Sequence, residues 1–147
     1  MNPLTLAIFV INHSQENNSP VNNLELQKIL YFLQLKNYQL TGSPLIVPDR
    51  FEAWEFGPVV REVYVRYSYY GASKIFMPQP QSHVRLDPAL VNTIDYWSHS
   101  KPWVMVNYSH RAEGAWKQYY QTGCKNPIPE QAVKNEAEIY HEVDAAA

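Results

Sequence analysis

The sequence predicts a mainly α-helical fold, a single compact domain over residues 1–147 with a central buried helix at about residues 22–41. We also expect a small two-stranded β-hairpin at about residues 44–56. Three observations support this fold class. The chain has 147 residues, of which 46% are hydrophobic, enough for one real core. Apolar residues recur at helical spacing between recognisable caps. Only one short region carries β-prone runs joined by turn residues.

The central helix has the clearest signals. Asn22 is a candidate N-cap, and Glu25 stands three residues later, as in a capping box. Two apolar stripes follow, one through Leu26 and Leu33 and the other through Leu24 and Tyr31, with Lys28 in the gap between them. A helix with two apolar faces must be covered on both sides, so we predict that it lies at the centre. Gly42 is expected to end it.

The other helices are predicted from proline and cap positions. Pro is well tolerated at the first position of a helix, where its missing N–H leaves no bond unmade. Four segments begin in this way, at Pro3 after Asn2, at Pro88 after Asp87, at Pro102 and at Pro129. The last of these is expected to run through Val143, and residues 144–147 are expected to form a frayed tail.

The hairpin is predicted from residues 45–47 and 51–56, which are β-prone runs joined by Pro48-Asp49-Arg50. The second run leads directly into Gly57-Pro58. We expect Gly57 to supply a tight bend and Pro58 to start a third helix, which Gly71 would end.

Bulk properties narrow the function classes. A net charge of −2 and a sequence pI of about 6.2 give no basic footprint, so nucleic-acid binding is not expected. Cys124 is the single cysteine, which excludes an internal disulfide and a cysteine-type zinc site. The apolar run at residues 4–11 is too short for a membrane span. We therefore predict a cytoplasmic protein.

No pattern of catalytic residues stands out. His110 followed by Glu113 does not put two imidazoles on one helix face, so no metal or cofactor is expected. Ser109 and His110 are chain neighbours, which point about 100° apart on a helix and pair poorly as nucleophile and base. One glycine followed by proline at Gly57-Pro58 lacks the free N–H groups of a phosphate loop.

Aromatic residues are crowded near the hairpin. Their number is greater than the core-facing side of one hairpin and one helix can accommodate. One interpretation is core and rim packing. The other is an exposed protein-binding surface, since Tyr, Trp and Arg are favoured anchors at interfaces. The candidate anchors are Trp54, Phe56, Arg61, Tyr64, Tyr67 and Tyr70.

Three motifs resemble those of the Panacea domain, the SocA-like antitoxin family. The first is a Leu-x-Lys-Leu-Leu-Tyr-Phe helix, matched by Leu26, Lys28, Ile29, Leu30, Tyr31 and Phe32. The second is a hairpin-to-helix corner, matched by Ala53, Trp54, Gly57, Pro58 and Val59. The third is a Thr-His followed by Trp-Lys, matched by His110, Trp116 and Lys117, with Ser109 in place of the Thr. The resemblance extends over nearly the whole chain.

The resemblance implies a mainly α-helical antitoxin without enzymatic activity. Such a protein binds a cognate toxin protein directly, in a type II toxin–antitoxin system, and the founding member resembles an adaptor that delivers its toxin to a protease. The implied partners are the toxin and a cytoplasmic protease or chaperone. Two alternatives stay open. One is a cryptic enzyme that uses His110 with Glu113 or Asp95, and the other is a DNA-binding autorepressor.

Overall fold

The computed structural model describes residues 1–81 and 83–142. Within these residues the α-helices are α1 (Pro3–Glu16), α2 (Asn23–Thr41), α3 (Arg61–Tyr67), α4 (Pro88–Ser98), α5 (Pro102–Ser109), α6 (Ala115–Tyr119) and α7 (Glu130–Ala137). The strands are β1 (Glu52–Trp54), β2 (Gly57–Val59) and β3 (Asn126–Pro127). The strands form one antiparallel sheet in the order β2-β1-β3. The predicted mainly α class is confirmed. No helix of the described ranges is long and apolar enough to cross a membrane.

Helix α2 is the central helix that the sequence predicts. It packs against α1, α4, α7 and β2, and both of its apolar stripes are buried, from Leu26 to Leu35. Lys28 and Glu25, which lie between the stripes, are buried as well. The reason is that β2 and its neighbours cover this third side of α2, which leaves the first half of the helix no solvent-facing strip.

The predicted caps are present. The Asn2 side chain accepts a hydrogen bond from the Leu4 N–H, with Pro3 at the first helical position of α1. Asn22 and Glu25 form a reciprocal capping box at the start of α2, and Gly42 ends that helix in the left-handed conformation at φ 75°. These bonds satisfy backbone groups that a helix end leaves free, which is why such short sequence signals fix helix ends well.

Aromatic side chains fill the core beside α2. The Phe32 ring lies 4.2 Å from the Trp97 ring and 5.5 Å from the Tyr108 ring, measured between centroids. The Trp97 indole N–H donates to the Tyr140 hydroxyl at 2.8 Å. Tyr140 is buried although α7 ends at Ala137, before the predicted end at Val143. Val143 and the predicted tail lie outside the described residues.

The hairpin is present, but its strands differ from those predicted. Residues 45–47 are not a strand, because the buried side-chain amide of Gln34 takes both backbone groups of Ile46. Its Oε1 accepts from the Ile46 N–H at 2.7 Å, and its Nε2 donates to the Ile46 carbonyl at 3.1 Å. The pairing partner of β1 is instead β2, across a turn at Glu55 and Phe56.

Pro58 therefore lies in a strand and does not start a helix. It faces Ala53 in the ladder, and α3 begins at Arg61. The Val60 N–H, just before α3, donates to the buried Gln27 side chain of α2 at 3.0 Å. The third strand, β3, pairs with β1 on its other side. No prediction included β3, since a two-residue strand has no periodicity to detect.

Candidate functional site

An open groove lies beside the hairpin, with a volume of about 910 Å³. This size is in the range of ligand and peptide pockets. One wall comes from the hairpin, the start of α2 and the α3 region, and the other from residues 120–125. The lining residues are Asn23, Leu24, Trp54, Glu55, Phe56, Val59, Tyr64, Gly71, Ala72, Tyr120, Thr122, Gly123, Cys124 and Lys125.

Trp54 is the central aromatic residue of the groove. Its ring packs against the Tyr64 ring at 4.8 Å between centroids. Two cations lie against the same ring, the Lys125 Nζ at 4.1 Å and the Arg61 guanidinium at 5.5 Å from its centroid. Such contacts are typical cation–π geometry and hold the ring in one orientation. Trp54 is thus half-buried, and three side chains contact its ring.

Glu52 links these groups by hydrogen bonds. Its carboxylate accepts from the Trp54 indole N–H at 2.9 Å and from Arg61 at 2.8 Å. Partial burial acts to raise the pKa of Glu52, but the hydrogen bonds from Arg61 and Trp54 and the charges of Arg61 and Lys125 hold it below its usual value. The carboxylate is therefore ionised at neutral pH and keeps Arg61 over the ring.

The exposed anchors are only partly those that the sequence predicts. Phe56 is 57% exposed and Tyr64 37% exposed. Tyr67 is 2% exposed, so its prediction as a partner-binding anchor is wrong for this structure. The reason is helical spacing, since Tyr67 shares the inward face of α3 with Val63, four residues earlier. Tyr70 is half-buried against the core.

Sequence reasoning missed the second wall of the groove. Tyr120 and Lys125 lie more than fifty residues from Trp54 in the chain, and they reach it because β3 pairs with β1. Tyr69, in the 3₁₀ turn Ser68–Tyr70 that follows α3, was also missed as a surface group and is almost fully exposed. The only sequence signal for it was membership of the Tyr-rich run.

Beneath the hairpin lies Lys28, which is completely buried. Its Nζ donates a hydrogen bond to the Pro58 carbonyl of β2 at 3.1 Å. Burial lowers the pKa of Lys28 from 10.5 to about 7. No carboxylate forms an ion pair with it among the described residues. A buried amine without a counterion is rare enough to suggest a specific task.

Gly57 is required by this arrangement. Its φ is +122°, a conformation that side chains rarely adopt, and a Cβ at this position would lie 2.5 Å from the Lys28 Cε and 2.8 Å from the Ser109 Oγ. The hairpin therefore approaches the lysine more closely than any other residue type would allow. This explains the Gly-Pro pair better than a helix start does.

We expect Gly57→Ala to destabilise the fold by about 2 kcal/mol more than Gly71→Ala, as measured by urea unfolding. Both glycines have positive φ, at +122° and +57°, but a Cβ at Gly71 would meet open space. Backbone strain is common to both variants, and the close contact is present only at Gly57. Equal losses of stability would show that the Lys28 contact yields easily.

A stack of three rings runs from the buried lysine towards the groove. The His110 and Trp116 rings are parallel at 3.6 Å between centroids, and Tyr120 stacks on the other side of Trp116 at 4.6 Å. The Trp116 indole N–H donates to the Trp54 carbonyl at 2.6 Å. Burial, and then the charge of Lys28, lowers the pKa of His110.

The alternative enzymatic site is not assembled. Asp95 pairs with His13, at 2.7 Å between Oδ1 and Nε2, and neither Asp95 nor Glu113 forms an ion pair with His110 within the described residues. The Ser109 hydroxyl donates to the Val106 carbonyl at 2.9 Å. Residues 1–81 and 83–142 contain no group of three or more His, Cys, Asp or Glu that could hold a metal ion.

A second buried network connects Tyr31 of α2 to α7. The Tyr31 hydroxyl donates to Glu136 Oε1 at 2.6 Å, and the Ala115 N–H donates to the same atom at 2.8 Å. Arg111 lies 2.8 Å from the other carboxylate oxygen and 4.0 Å above the Tyr108 ring. Burial raises the pKa of Glu136, against the hydrogen bond from Tyr31 and the charge of Arg111, which lower it. This network holds the C-terminal part of the chain to the central helix.

Comparison with known proteins finds similarity for part of the chain. Residues 26–86 match the family model described as "Antitoxin SocA-like, Panacea domain". A curated relative, Antitoxin SocA of Caulobacter vibrioides (strain NA1000 / CB15N), is 46% identical over 56 residues, which are 38% of this chain and 29% of that protein. The aligned part is thus less than a third of the relative's length. No solved structure matches the chain.

The matched segment contains the first two motifs of the resemblance, on α2 and on the hairpin. The third motif, with His110 and Trp116, lies beyond residue 86, so the family match does not extend to it. The structure nevertheless joins the three motifs, since Lys28, Gly57 and Ser109 converge beneath the hairpin. Residues 26–86 of this chain are therefore similar to the antitoxin SocA-like Panacea domain family.

Proposed function

We propose that this protein is an antitoxin of a type II toxin–antitoxin system, which neutralises a cognate toxin protein by binding it directly in the cytoplasm. The observation that carries the proposal is the aromatic groove beside the hairpin, whose main wall belongs to the family-matched segment. Phe56 and Tyr64 are exposed there next to a fixed Trp54 ring. Large, rigid aromatic side chains around a groove are favoured anchors for a partner protein.

The surface extends from the groove along α3. Val65 and Tyr69 are exposed four residues apart, next to Arg61 on the same side of the helix. Arg61, held by Glu52, and Lys125, over the Trp54 ring, supply cations at the groove. The proposed interface therefore has an aromatic centre with charged groups around it, which is the usual anatomy of a specific protein interface.

The chain acts in this proposal by binding and not by catalysis. His110 is stacked against Trp116 and lacks a paired carboxylate in the described part of the chain. Its ring packs as an aromatic group and is hydrogen-bonded to the backbone of Phe56, so among the described residues no carboxylate orients it as a general base. We therefore expect the purified protein not to turn over ester, phosphate or nucleotide substrates. Any trace activity should be the same in His110→Ala as in the wild-type protein.

We expect Phe56→Ala and Tyr64→Ala each to weaken toxin binding by about 2 kcal/mol, roughly 30-fold in Kd, because each removes an anchor ring. The toxin would be the product of a neighbouring open reading frame that is toxic when expressed alone. Binding is measured by calorimetry with purified proteins, and neutralisation by rescue of growth. Thermal unfolding confirms that the variants stay folded.

Trp103→Ala is the matched control. Trp103 is 61% exposed on α5 and does not line the groove. Its loss is expected to leave affinity unchanged. If Phe56→Ala and Tyr64→Ala bind at full affinity, or if Trp103→Ala weakens binding as much, the groove is not the docking surface.

The level of the toxin in cells separates two modes of neutralisation. Simple masking leaves the bound toxin at a constant level. An adaptor that delivers the toxin to a cytoplasmic protease, or hands it to a chaperone, shortens its half-life when the antitoxin is present. Following the tagged toxin after synthesis is stopped, with and without this protein, distinguishes masking from delivery.

A further inference from the structure

The buried groups beneath the hairpin touch both of its strands, and His110 makes a backbone hydrogen bond to Phe56 in the turn between them. Lys28 donates to the Pro58 carbonyl of β2 at 3.1 Å. Trp116, stacked on His110, donates to the Trp54 carbonyl of β1 at 2.6 Å. Both strands of the hairpin are therefore held through backbone carbonyls by side chains from α2 and α6, and the two contacts flank the turn that presents Phe56.

We propose that Lys28 is a positioning residue of the groove, which fixes the β1–β2 corner as a neutral amine and shifts it on gaining a proton. The contact with Gly57 supports this role. Only a glycine leaves the lysine side chain room to lie this close to the hairpin backbone, so a movement of Lys28 acts on that backbone directly.

The groups around Lys28 determine how protonation of its amine affects the hairpin. Burial lowers the pKa of Lys28 to about 7. The strand against it, β2, has no titratable side chain, while the residue that follows α5 contributes His110, and Lys117 of α6 lies near that ring. Neither neighbour is an anion, and His110, whose pKa burial lowers, stays neutral near pH 7, so neither one stabilises a charge on Lys28.

The two buried acidic residues of the described part of the chain are engaged elsewhere. Glu25, one turn before Lys28 on α2, pairs with Lys74 and caps its own helix. Glu136 of α7 pairs with Arg111 and accepts from Tyr31. An ammonium at Lys28 would have three N–H donors and the Pro58 carbonyl as its recorded acceptor. Protonation therefore favours a rearrangement that brings further acceptors or water to the amine.

The effect of Lys28 on toxin binding rests on the proposed function. Its role in positioning the hairpin is tested on the protein without toxin. The indole N–H signals of Trp54 and Trp116 and the amide of Gly57 are followed by NMR from about pH 6 to about pH 9. We expect all three to titrate with one midpoint near 7 in the wild-type protein. Lys28→Met should abolish this titration, whereas Lys134→Met, at an exposed position on α7, should retain it.

Two further measurements identify the group that titrates. The Lys28 side-chain signals of the wild-type protein should show the same midpoint, a result that does not depend on any variant folding. His110→Gln should retain the titration. The proposal is overturned if the hairpin signals do not titrate, if they titrate unchanged in Lys28→Met, if only His110→Gln abolishes the change, or if Lys28 itself titrates near its usual value. A chain that passes this test and fails to bind toxin would refute the proposed function alone.

Discussion

Replacing Glu136 by alanine is expected to lower the free energy of unfolding by about 3–5 kcal/mol. The carboxylate is 2% exposed and is shared by the Tyr31 hydroxyl, the Ala115 N–H and Arg111. Its removal leaves a mostly buried guanidinium without its anion and a buried hydroxyl without its acceptor. Breaking one side of a buried pair is costly because the remaining charge stays desolvated.

Urea unfolding followed by circular dichroism measures this change. Glu138→Ala is the matched control, since Glu138 follows α7 at an exposed position, and its expected effect is within about 0.5 kcal/mol. The double variant Arg111→Met/Glu136→Leu removes both charges and is expected to recover much of the loss. A loss below about 1 kcal/mol for Glu136→Ala would mean that the network contributes little to stability.

Replacing Lys28 by methionine is expected to remove a rise in stability that the wild-type protein shows between about pH 7 and about pH 10. Burial lowers the pKa of Lys28 from 10.5 to about 7. Below pH 7 the folded and unfolded chains both hold the proton, and the fold bears the full penalty of burying it. Between pH 7 and pH 10.5 only the unfolded chain holds it, so the free energy of unfolding increases with pH by up to about 1.4 kcal/mol per unit.

The expected gain from pH 7 to pH 10 is about 3 kcal/mol. Taking the difference between the wild-type protein and Lys28→Met cancels the contributions of groups common to both, including Tyr31, whose pKa burial raises. Lys134→Met should follow the wild-type profile because Lys134 is exposed. Parallel profiles for the wild-type protein and Lys28→Met would show that the amine keeps its proton in the fold.

Much of the helical framework could be predicted from the sequence because its signals are local. A cap such as Asn22 with Glu25 satisfies backbone groups within one turn, and the resulting bonds involve no distant residue. The same holds for Pro88 after Asp87 and for Gly42. The stripes of α2 likewise predicted a helix covered on two faces.

The wrong secondary-structure predictions arise where a side chain distant in sequence forms hydrogen bonds with the backbone. Residues 45–47 have strand-like composition, but Gln34 of α2 binds the backbone that a neighbouring strand would otherwise bind. Pro58 has the signature of a helix start, yet its carbonyl is taken by Lys28 from thirty positions away. Neither contact has a periodicity, so neither could be read from spacing.

The candidate site was predictable on one wall only. The crowding of Trp54, Phe56 and Tyr64 indicated a surface because too many rings competed for one core face. Tyr67 could not be separated from them without the orientation of α3, which begins later than predicted. Lys28 was recognised as a motif residue, but its burial depends on the close approach that Gly57 permits.

The pairing of β3 with β1 determines how the groove can vary. One wall is built largely from residues 54–72, inside the segment that matches the family model, while residues 120–125 of the other wall lie beyond it. Substitutions in residues 120–125 can therefore reshape the opening without altering the shared corner, provided that the short strand which follows them keeps its place in the sheet. One face of the cleft can stay constant among relatives while the opposite face diverges.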